Sequence, residues 1–284
     1  MAIIEWLVSL PVWLTFVVVI AFWMTVATTL WWLAKTLVPH EKIEKHRDTA
    51  VRILTTVSAF YAFLLGFVVS QEWSNVNTVR NDVASASAQL YIGSYNAVAL
   101  PKPSNNEAFD ALQSFGNSIV CQDFPRLARS GRPSAQTGEV LEKSFSTITS
   151  LPSSAQRAPT FGDVMSSLES ASESRRQWVS AADDGLPTVI LVIILLVAFI
   201  LLGAFSIQFS ASQRAHLLAL LGISVFIGLG TGLVIALNRP FAGAAKINSA
   251  AFIEGTNKKK FNCSKPPDGS AQKAPHPPAL RASR

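Results

Sequence analysis

Four long stretches of this 284-residue chain contain no aspartate, glutamate, lysine or arginine. They cover residues 6–34, 53–71, 185–213 and 215–238. Each is at or near the roughly 20 residues that a helix needs to cross a hydrocarbon core of about 30 Å. In lipid, backbone N–H and C=O groups must be satisfied within their own segment, so runs of this length form helices. The absence of charge excludes an ordinary soluble fold and predicts an all-α integral membrane protein whose first partner is the lipid bilayer.

The sequence also lacks the motifs on which common catalytic and cofactor sites depend. It has no G-x-S-x-G elbow, no G-x-x-x-x-G-K-[ST] loop and no H-E-x-x-H pair. The four histidines are divided between the connections and the tail: His40, His46, His216 and His276. Neither these histidines nor the two cysteines have the paired spacing of a zinc site. We therefore expect no enzymatic activity, no cofactor and no metal site.

Only two cysteines are present, Cys121 and Cys263. A chain with four spans places both on the same side of the membrane. A disulfide between them is one interpretation, and it would require an oxidising compartment. Two unpaired thiols are the other, because no spacing constrains them.

The four spans divide the chain into four parts. The first hairpin, residues 1–71, holds spans at about 11–34 and 52–71, and the second, residues 185–238, holds spans at about 187–209 and 215–237. Residues 72–184, here called the insert, form an extramembrane helical domain, and residues 239–284 form a membrane-proximal segment and a disordered, basic, proline-rich tail. The net charge of +6 comes from that tail, since the insert is acidic. We expect no nucleic-acid partner.

Positive charge next to the spans predicts the orientation. No lysine or arginine precedes the first span, whereas five lie between residues 35 and 52, in the first connection. This bias puts the connections in the cytoplasm and the insert outside a bacterial plasma (inner) membrane. The basic residues Arg239 and Lys246, close after the last span, argue for the opposite orientation.

The insert is predicted to contain four helices. The first continues the second span, because small and apolar residues recur at alternating steps of three and four. This stripe comprises Val76, Val79, Val83, Ala86, Leu90, Gly93, Ala97 and Leu100. It packs inside a helical bundle or, alternatively, against a second copy of the chain. Capping-box patterns at Ser104 with Glu107 and at Thr160 with Asp163 open two further helices, and another covers residues 139–149.

Small residues and phenylalanines occupy neighbouring sides of the second span. The small residues are Thr55, Ala59, Ala62, Gly66 and Ser70, at steps of four and three. Such a face packs closely against another helix or lines a conduit. The aromatic residues are Phe60, Phe63 and Phe67. They either face lipid or form an apolar constriction that gates a pore by dewetting.

Two further sets of residues lie at the spans. No span has an ionisable residue at its centre, which removes the usual marker of a proton relay. Charged side chains instead lie at the membrane edge on the side of the insert, as a salt-bridge cluster or as a vestibule that concentrates ions: Glu72, Asp183, Asp184 and Arg239. Gly228 and Gly232 form a GxxxG pair that is expected to pack the fourth span against the third.

Several short motifs together resemble the bacterial bestrophin-like family over roughly residues 45–253. They are the apolar run 61–69 followed by Trp73, Asp123-Phe124-Pro125, Gly131-Arg132-Pro133, Arg175-Arg176, Gly185-Leu186-Pro187 and Leu237-Asn238-Arg239-Pro240-Phe241. The family typically has aspartate where this chain has Asn238, so no charged partnership is carried over to that position. Nor is the acidic calcium-clasp pattern of bestrophins found here.

The resemblance implies a fold and a function. Bestrophins are pentameric anion channels with four spans and a cytoplasmic helical domain between spans two and three, and their second span lines the pore. Their apolar neck would correspond to Phe60, Phe63 and Phe67. We therefore expect a homo-oligomeric passive channel for a small inorganic ion, an anion rather than a cation. A non-conducting membrane-anchored sensor or scaffold, whose insert binds a ligand or partner, is the alternative; an enzyme acting on a lipid or envelope substrate is the third.

Overall fold

The structure is a computed structural model that describes residues 11–37, 47–183, 186–208, 213–238, 240–241, 247, 252 and 263. Within those residues all regular secondary structure is helical, which confirms the all-α class. The helices are α1 (Val12–Leu37), α2 (Arg47–Val98), α3 (Ser104–Ser118), α4 (Phe124–Ser130), α5 (Ala135–Thr149), α6 (Ser153–Gln156), α7 (Phe161–Asp183), α8 (Thr188–Ser206) and α9 (Gln213–Leu237). One π-helical turn, Ile119–Asp123, joins α3 to α4. Helices α1, α2, α8 and α9 are long and apolar enough to cross a membrane.

Helix α2 belongs to both the membrane part and the insert. Its 52 residues extend about 78 Å at a rise of 1.5 Å per residue, far more than the roughly 30 Å of a hydrocarbon core. Every residue of the predicted stripe from Val76 to Leu100 is buried. This stripe packs mainly against α7 and α3, so it forms the centre of the insert bundle.

The membrane helices do not pair simply as two hairpins. Helix α1 packs chiefly on α9, while α8 lies against α2, α1 and α9. A buried hydrogen bond joins the first pair, since Trp23 Nε1 donates to Thr231 Oγ1 at 3.0 Å. A Cβ added at Gly228 would lie 2.9 Å from the Cα of Ile20, and one at Gly232 would lie 2.9 Å from the Phe16 ring. The glycine pair therefore lies against α1, and the expectation of contact with the third span was wrong.

The helices of the insert begin close to the predicted positions. Helix α3 starts at Ser104, although no side-chain hydrogen bond caps it. Helix α5 starts at Ala135, four residues before the expected start, and α7 starts directly after Thr160. The π-helical turn and the short α6 were not predicted. Because α3 packs on both α2 and α5, the insert is a compact helical layer around the projecting part of α2.

The chain returns to the insert after the fourth span. Phe241, Ile247 and Phe252 are all buried in the insert core. The Ser87 hydroxyl donates to the carbonyl oxygen of Phe252 at 2.5 Å, and the Ile247 N–H donates to the carbonyl of Pro240 at 2.9 Å. This segment thus fastens the end of α9 to α2. Most of the basic tail lies outside the described residues.

Candidate functional site

One side of α2 is uncovered along its membrane-spanning part. Phe60, Phe63 and Phe67 are 58%, 73% and 62% exposed. The small residues Thr55, Ala59, Ala62, Gly66 and Ser70 are exposed as well. A Cβ built at Gly66 would meet nothing within 4 Å. These eight residues are called the open face of α2 below, and within the part of the chain that the structure describes no helix covers it.

The open face is continuous. At about 100° per residue, the small residues and the phenylalanines fall on adjacent strips of the same half of the helix. The opposite half carries Tyr61, Leu65 and Val68, which are 3%, 6% and 3% exposed and pack into the membrane core. The small residues are therefore not a packing seam between the described helices of one chain, which was the first of the two interpretations of their spacing.

Two arginines lie near the ends of the open face. Arg52 lies at one end of the spanning part of α2 and Arg80 lies beyond the other, and both side chains are exposed. The one carboxylate between them, Glu72, is turned to the buried half and is 5% exposed. From Arg52 to Arg80 the exposed half of α2 therefore carries positive charge without an acidic neighbour on the same half.

The predicted charged cluster at the membrane edge falls only partly within the described residues. Glu72 is described, and its Oε2 has no hydrogen-bond partner among the described residues. Asp184, Arg239 and the side chain of Asp183 lie outside them, so the cluster stays a prediction. The polar contact described in this region joins Asn75 Nδ2 to the carbonyl oxygen of Ala181 at 3.5 Å, which ties α2 to the end of α7.

A buried ion pair joins helices within the insert. Asp123, at the end of the π-helical turn, has a fully buried side chain. Arg175 of α7 donates to it from Nε at 2.7 Å and from Nη2 at 3.3 Å. The Ser134 N–H donates to the same carboxylate at 2.7 Å. One carboxylate thus holds α7 and the start of α5 to the junction of α3 and α4.

The neighbouring arginine makes a different pair. Arg176 binds Glu173 at 2.8 Å on the exposed side of α7. The hydrogen bond from Arg176 lowers the pKa of the Glu173 carboxyl. Arg175-Arg176 and Asp123-Phe124-Pro125 are both recognisable motifs in the sequence, but their spacing does not pair them. The signal in the sequence was Asp123, a lone carboxylate followed by Phe124 and Pro125 in an otherwise uncharged stretch. Such a carboxylate is expected to be buried, and a buried carboxylate requires a partner.

Aromatic rings join the insert to the segment after α9. The Phe124 ring centroid lies 5.7 Å from that of Phe241, 6.1 Å from Phe252 and 6.5 Å from Trp178. Trp178 and Phe252 are fully buried. Phe124 and Phe241 both belong to motifs that the sequence analysis singled out, and the structure brings them into contact. These motifs therefore form part of the core of the insert.

Asn238 links the second pair of spans at their insert-side ends. Its Oδ1 accepts a hydrogen bond from the Leu186 N–H at 2.6 Å. Leu186 lies two residues before the first residue of α8, so this hydrogen bond joins the beginning of α8 to the end of α9. An aspartate would offer the same acceptor, so the neutral amide keeps this hydrogen bond without placing a charge at the membrane edge.

A disulfide joins Cys121 to Cys263. Cys121 lies in the π-helical turn, two residues before Asp123, while Cys263 is exposed. The bridge therefore fastens the beginning of the tail to the junction that the ion pair also holds. Among the described residues no group of three histidine, cysteine, aspartate or glutamate side chains is arranged to hold a metal ion.

Comparisons with known proteins agree with this architecture. A sequence model of the Bestrophin-like domain matches residues 20–252. A bacterial bestrophin homologue from Klebsiella pneumoniae superposes with a TM-score of 0.64 at 13% identity, covering 85% of this chain and 100% of that one. A singly substituted bestrophin homologue from the same organism gives 0.64 at 13% identity, with 84% and 99% covered. Another solved membrane protein gives 0.63 at 15% identity, with 84% and 95% covered.

These identities support the fold alone, and no curated protein matches the chain. The match to the domain is the stronger finding, because it extends from the first span through the insert to Phe252 at the insert core. This integral membrane protein therefore belongs to the Bestrophin-like family.

Proposed function

We propose that copies of this chain assemble around a central axis into a passive anion channel whose pore is lined by the open face of α2. The observation that carries the proposal is that this face is uncovered although it bears small and polar residues. Thr55, Gly66 and Ser70 offer little apolar surface to lipid. A symmetric ring would turn the same face of every copy toward one axis.

Helix α8 presents another uncovered membrane surface, and its composition is different. Most of its exposed residues are large and aliphatic, among them Val189, Val192, Leu196 and Ile200. Such side chains suit contact with lipid tails, since they bury no polar group in hydrocarbon. The contrast supports an arrangement in which α8 faces the bilayer and α2 faces the axis.

The phenylalanines give the proposed pore its narrow part. Phe60, Phe63 and Phe67 lie within two helical turns and extend away from the rest of the chain. In a pentamer, as in bestrophins, each position would contribute a ring of five aromatic side chains. A hydrophobic constriction of this kind restricts permeation by excluding water.

The anion preference follows from the charge next to the pore. Arg52 and Arg80 are exposed near the two ends of the open face, and Glu72 is turned away from it. Repeated around an axis, each arginine would form a ring that attracts anions and repels cations. Known members of the bestrophin family are anion channels, which supports the same choice.

We expect Arg52→Glu to lower chloride flux through the protein in liposomes by about tenfold, because it replaces a cationic ring by an anionic one. Flux is measured with a chloride electrode after valinomycin is added. Arg214→Glu is the matched control, since Arg214 is also exposed on the connection side but lies on α9. Equal chloride flux in wild type and Arg52→Glu would contradict the role of Arg52.

We further propose that the insert lies outside the cytoplasm, unlike the cytoplasmic domain that the resemblance to bestrophins implies. The disulfide between Cys121 and Cys263 supports this side, because disulfides persist in oxidising compartments. We expect a membrane-impermeant maleimide to label intact cells only after treatment with a membrane-impermeant reductant. The double variant Cys121→Ser, Cys263→Ser should stay unlabelled. Labelling that occurs only after the cells are permeabilised would instead put the insert in the cytoplasm.

A further inference from the structure

Three exposed arginines lie close together on one short projection of the insert. Arg126 and Arg129 belong to α4, and Arg132 lies in the loop that follows it. They are three of the nine lysine and arginine residues of the insert, and they fall within seven consecutive positions. No aspartate or glutamate occurs between residues 124 and 138. These three side chains are called the arginine patch below.

The charge of the arginine patch is not neutralised by a neighbour. Among the described residues, none of the three guanidinium groups has an ion-pair partner. The nearest carboxylate along the chain, Asp123, is fully buried and already paired with Arg175. Because arginine carries a permanent charge, the patch is a positive surface on an insert that is acidic as a whole.

The chain returns to its starting point after the projection. Gly131 ends α4 with a φ of 67°, a left-handed conformation that glycine adopts without steric cost, and reverses the chain. The Ser134 N–H then donates to the carboxylate of Asp123 at 2.7 Å. Arg126 lies three residues after Asp123, and Arg132 lies two residues before Ser134. Both arginines are therefore held near the buried carboxylate.

The projection begins near the membrane end of the insert. The Phe124 ring centroid lies 5.7 Å from that of Phe241, which follows the last residue of α9 by only four positions. The Phe124 ring also adjoins Trp178, which lies five residues, or about 8 Å, before the end of α7. That height is comparable to one Debye length at physiological ionic strength. Over such a distance a negative membrane surface attracts basic side chains.

We propose that the arginine patch binds the headgroup phosphates of anionic phospholipids in the adjoining leaflet and holds the insert against the membrane surface. A guanidinium group presents paired N–H donors that match two oxygens of one phosphate. The three groups are spread along α4 and the loop after it, so they suit a surface of many phosphates better than one small soluble anion. The patch lies on the insert and not on the open face of α2. Lipid binding and conduction can therefore fail separately.

The test is hydrogen exchange of the full-length protein in nanodiscs, measured by mass spectrometry. Nanodiscs of phosphatidylcholine alone are compared with nanodiscs that also contain phosphatidylglycerol. We expect the amides of residues 124–134 to exchange about tenfold more slowly with phosphatidylglycerol, because opening of α4 would first have to release the bound phosphates. The amides of α3 are the internal reference and should exchange equally in both.

A charge-matched pair of variants identifies the groups responsible. The patch variant carries Arg126→Gln, Arg129→Gln and Arg132→Gln. It should lose the difference between the two kinds of nanodisc. The control variant removes the same charge from exposed positions dispersed over the insert, by Lys102→Gln, Lys143→Gln and Arg157→Gln. It should keep the difference.

Three outcomes would overturn the proposal. The first is equal exchange of residues 124–134 in both kinds of nanodisc for the wild type, a comparison that requires no variant to fold. The second is a difference that persists in the patch variant. The third is equally slow exchange in phosphatidylcholine nanodiscs once inorganic phosphate is added, which would assign the patch to a soluble anion.

Discussion

Replacing Phe63 with alanine is expected to raise chloride flux through the reconstituted protein by about tenfold, which corresponds to about 1.4 kcal/mol of barrier. Phe63 is the most exposed of the three phenylalanines at 73%. In the proposed ring its side chain would narrow the pore and exclude water, so truncation should widen and wet the constriction. The measurement is chloride efflux from liposomes at equal protein content, with Phe60→Ala and Phe67→Ala expected to act in the same direction.

The control for this prediction is Phe22→Ala. Phe22 is 51% exposed on α1, a helix that the proposal leaves in contact with lipid, so flux should not change. The mass of the complex in nanodiscs is measured on the same preparation, because a ring must contain several copies. A monomer or dimer, or unaltered flux in all three phenylalanine variants, would contradict the channel and favour the anchored sensor or scaffold.

Regular patterns made the helices predictable from the sequence. The four uncharged runs predicted the spans, because they are predominantly apolar and each is about as long as a helix that crosses the hydrocarbon core. The stripe from Val76 to Leu100 predicted the buried side of α2, because its members recur at the period of a helix. All of them are buried in the structure. Such local periodicity survives in any tertiary arrangement.

Partner choice between helices was not predictable in the same way. Gly228 and Gly232 mark a surface where another helix approaches closely, yet nothing in their spacing says which helix. The short connection between α8 and α9 suggested the third span, whereas Ile20 and Phe16 of α1 fill the site. The π-helical turn escaped prediction as well, because its backbone hydrogen bonds leave no signature in residue spacing.

The residues of the candidate site could be predicted from the sequence, but their exposure and their partners could not. The eight residues of the open face were identified by spacing, while their exposure depends on where α8, α9 and α1 pack. The ion pair between Asp123 and Arg175 joins positions 52 residues apart, so no local pattern could pair them. A cleft between α2, α8 and α9, lined in part by Tyr61, depends on how three helices pack and could not be predicted from the sequence either.

Replacing Asp123 with asparagine should destabilise the protein more than any surface change. The Asp123 side chain is fully buried and Arg175 is 14% exposed, so the variant leaves a guanidinium without its counter-charge. Removing one partner of a buried pair lowers the free energy of unfolding by about 3–5 kcal/mol. We expect a melting temperature lower by on the order of 10 °C. It is followed by tryptophan fluorescence, since Trp178 adjoins the aromatic cluster around Phe124.

Two companion variants separate the ion pair from a general defect. Adding Arg175→Met to Asp123→Asn removes the unpaired charge and should recover part of the lost stability, because an apolar replacement of a buried pair is often tolerated. Glu173→Gln breaks the exposed pair with Arg176 on the same helix and should leave the melting temperature unchanged. If Glu173→Gln destabilised as much as Asp123→Asn, or if Arg175→Met made the loss larger, burial of the charge would not be its cause.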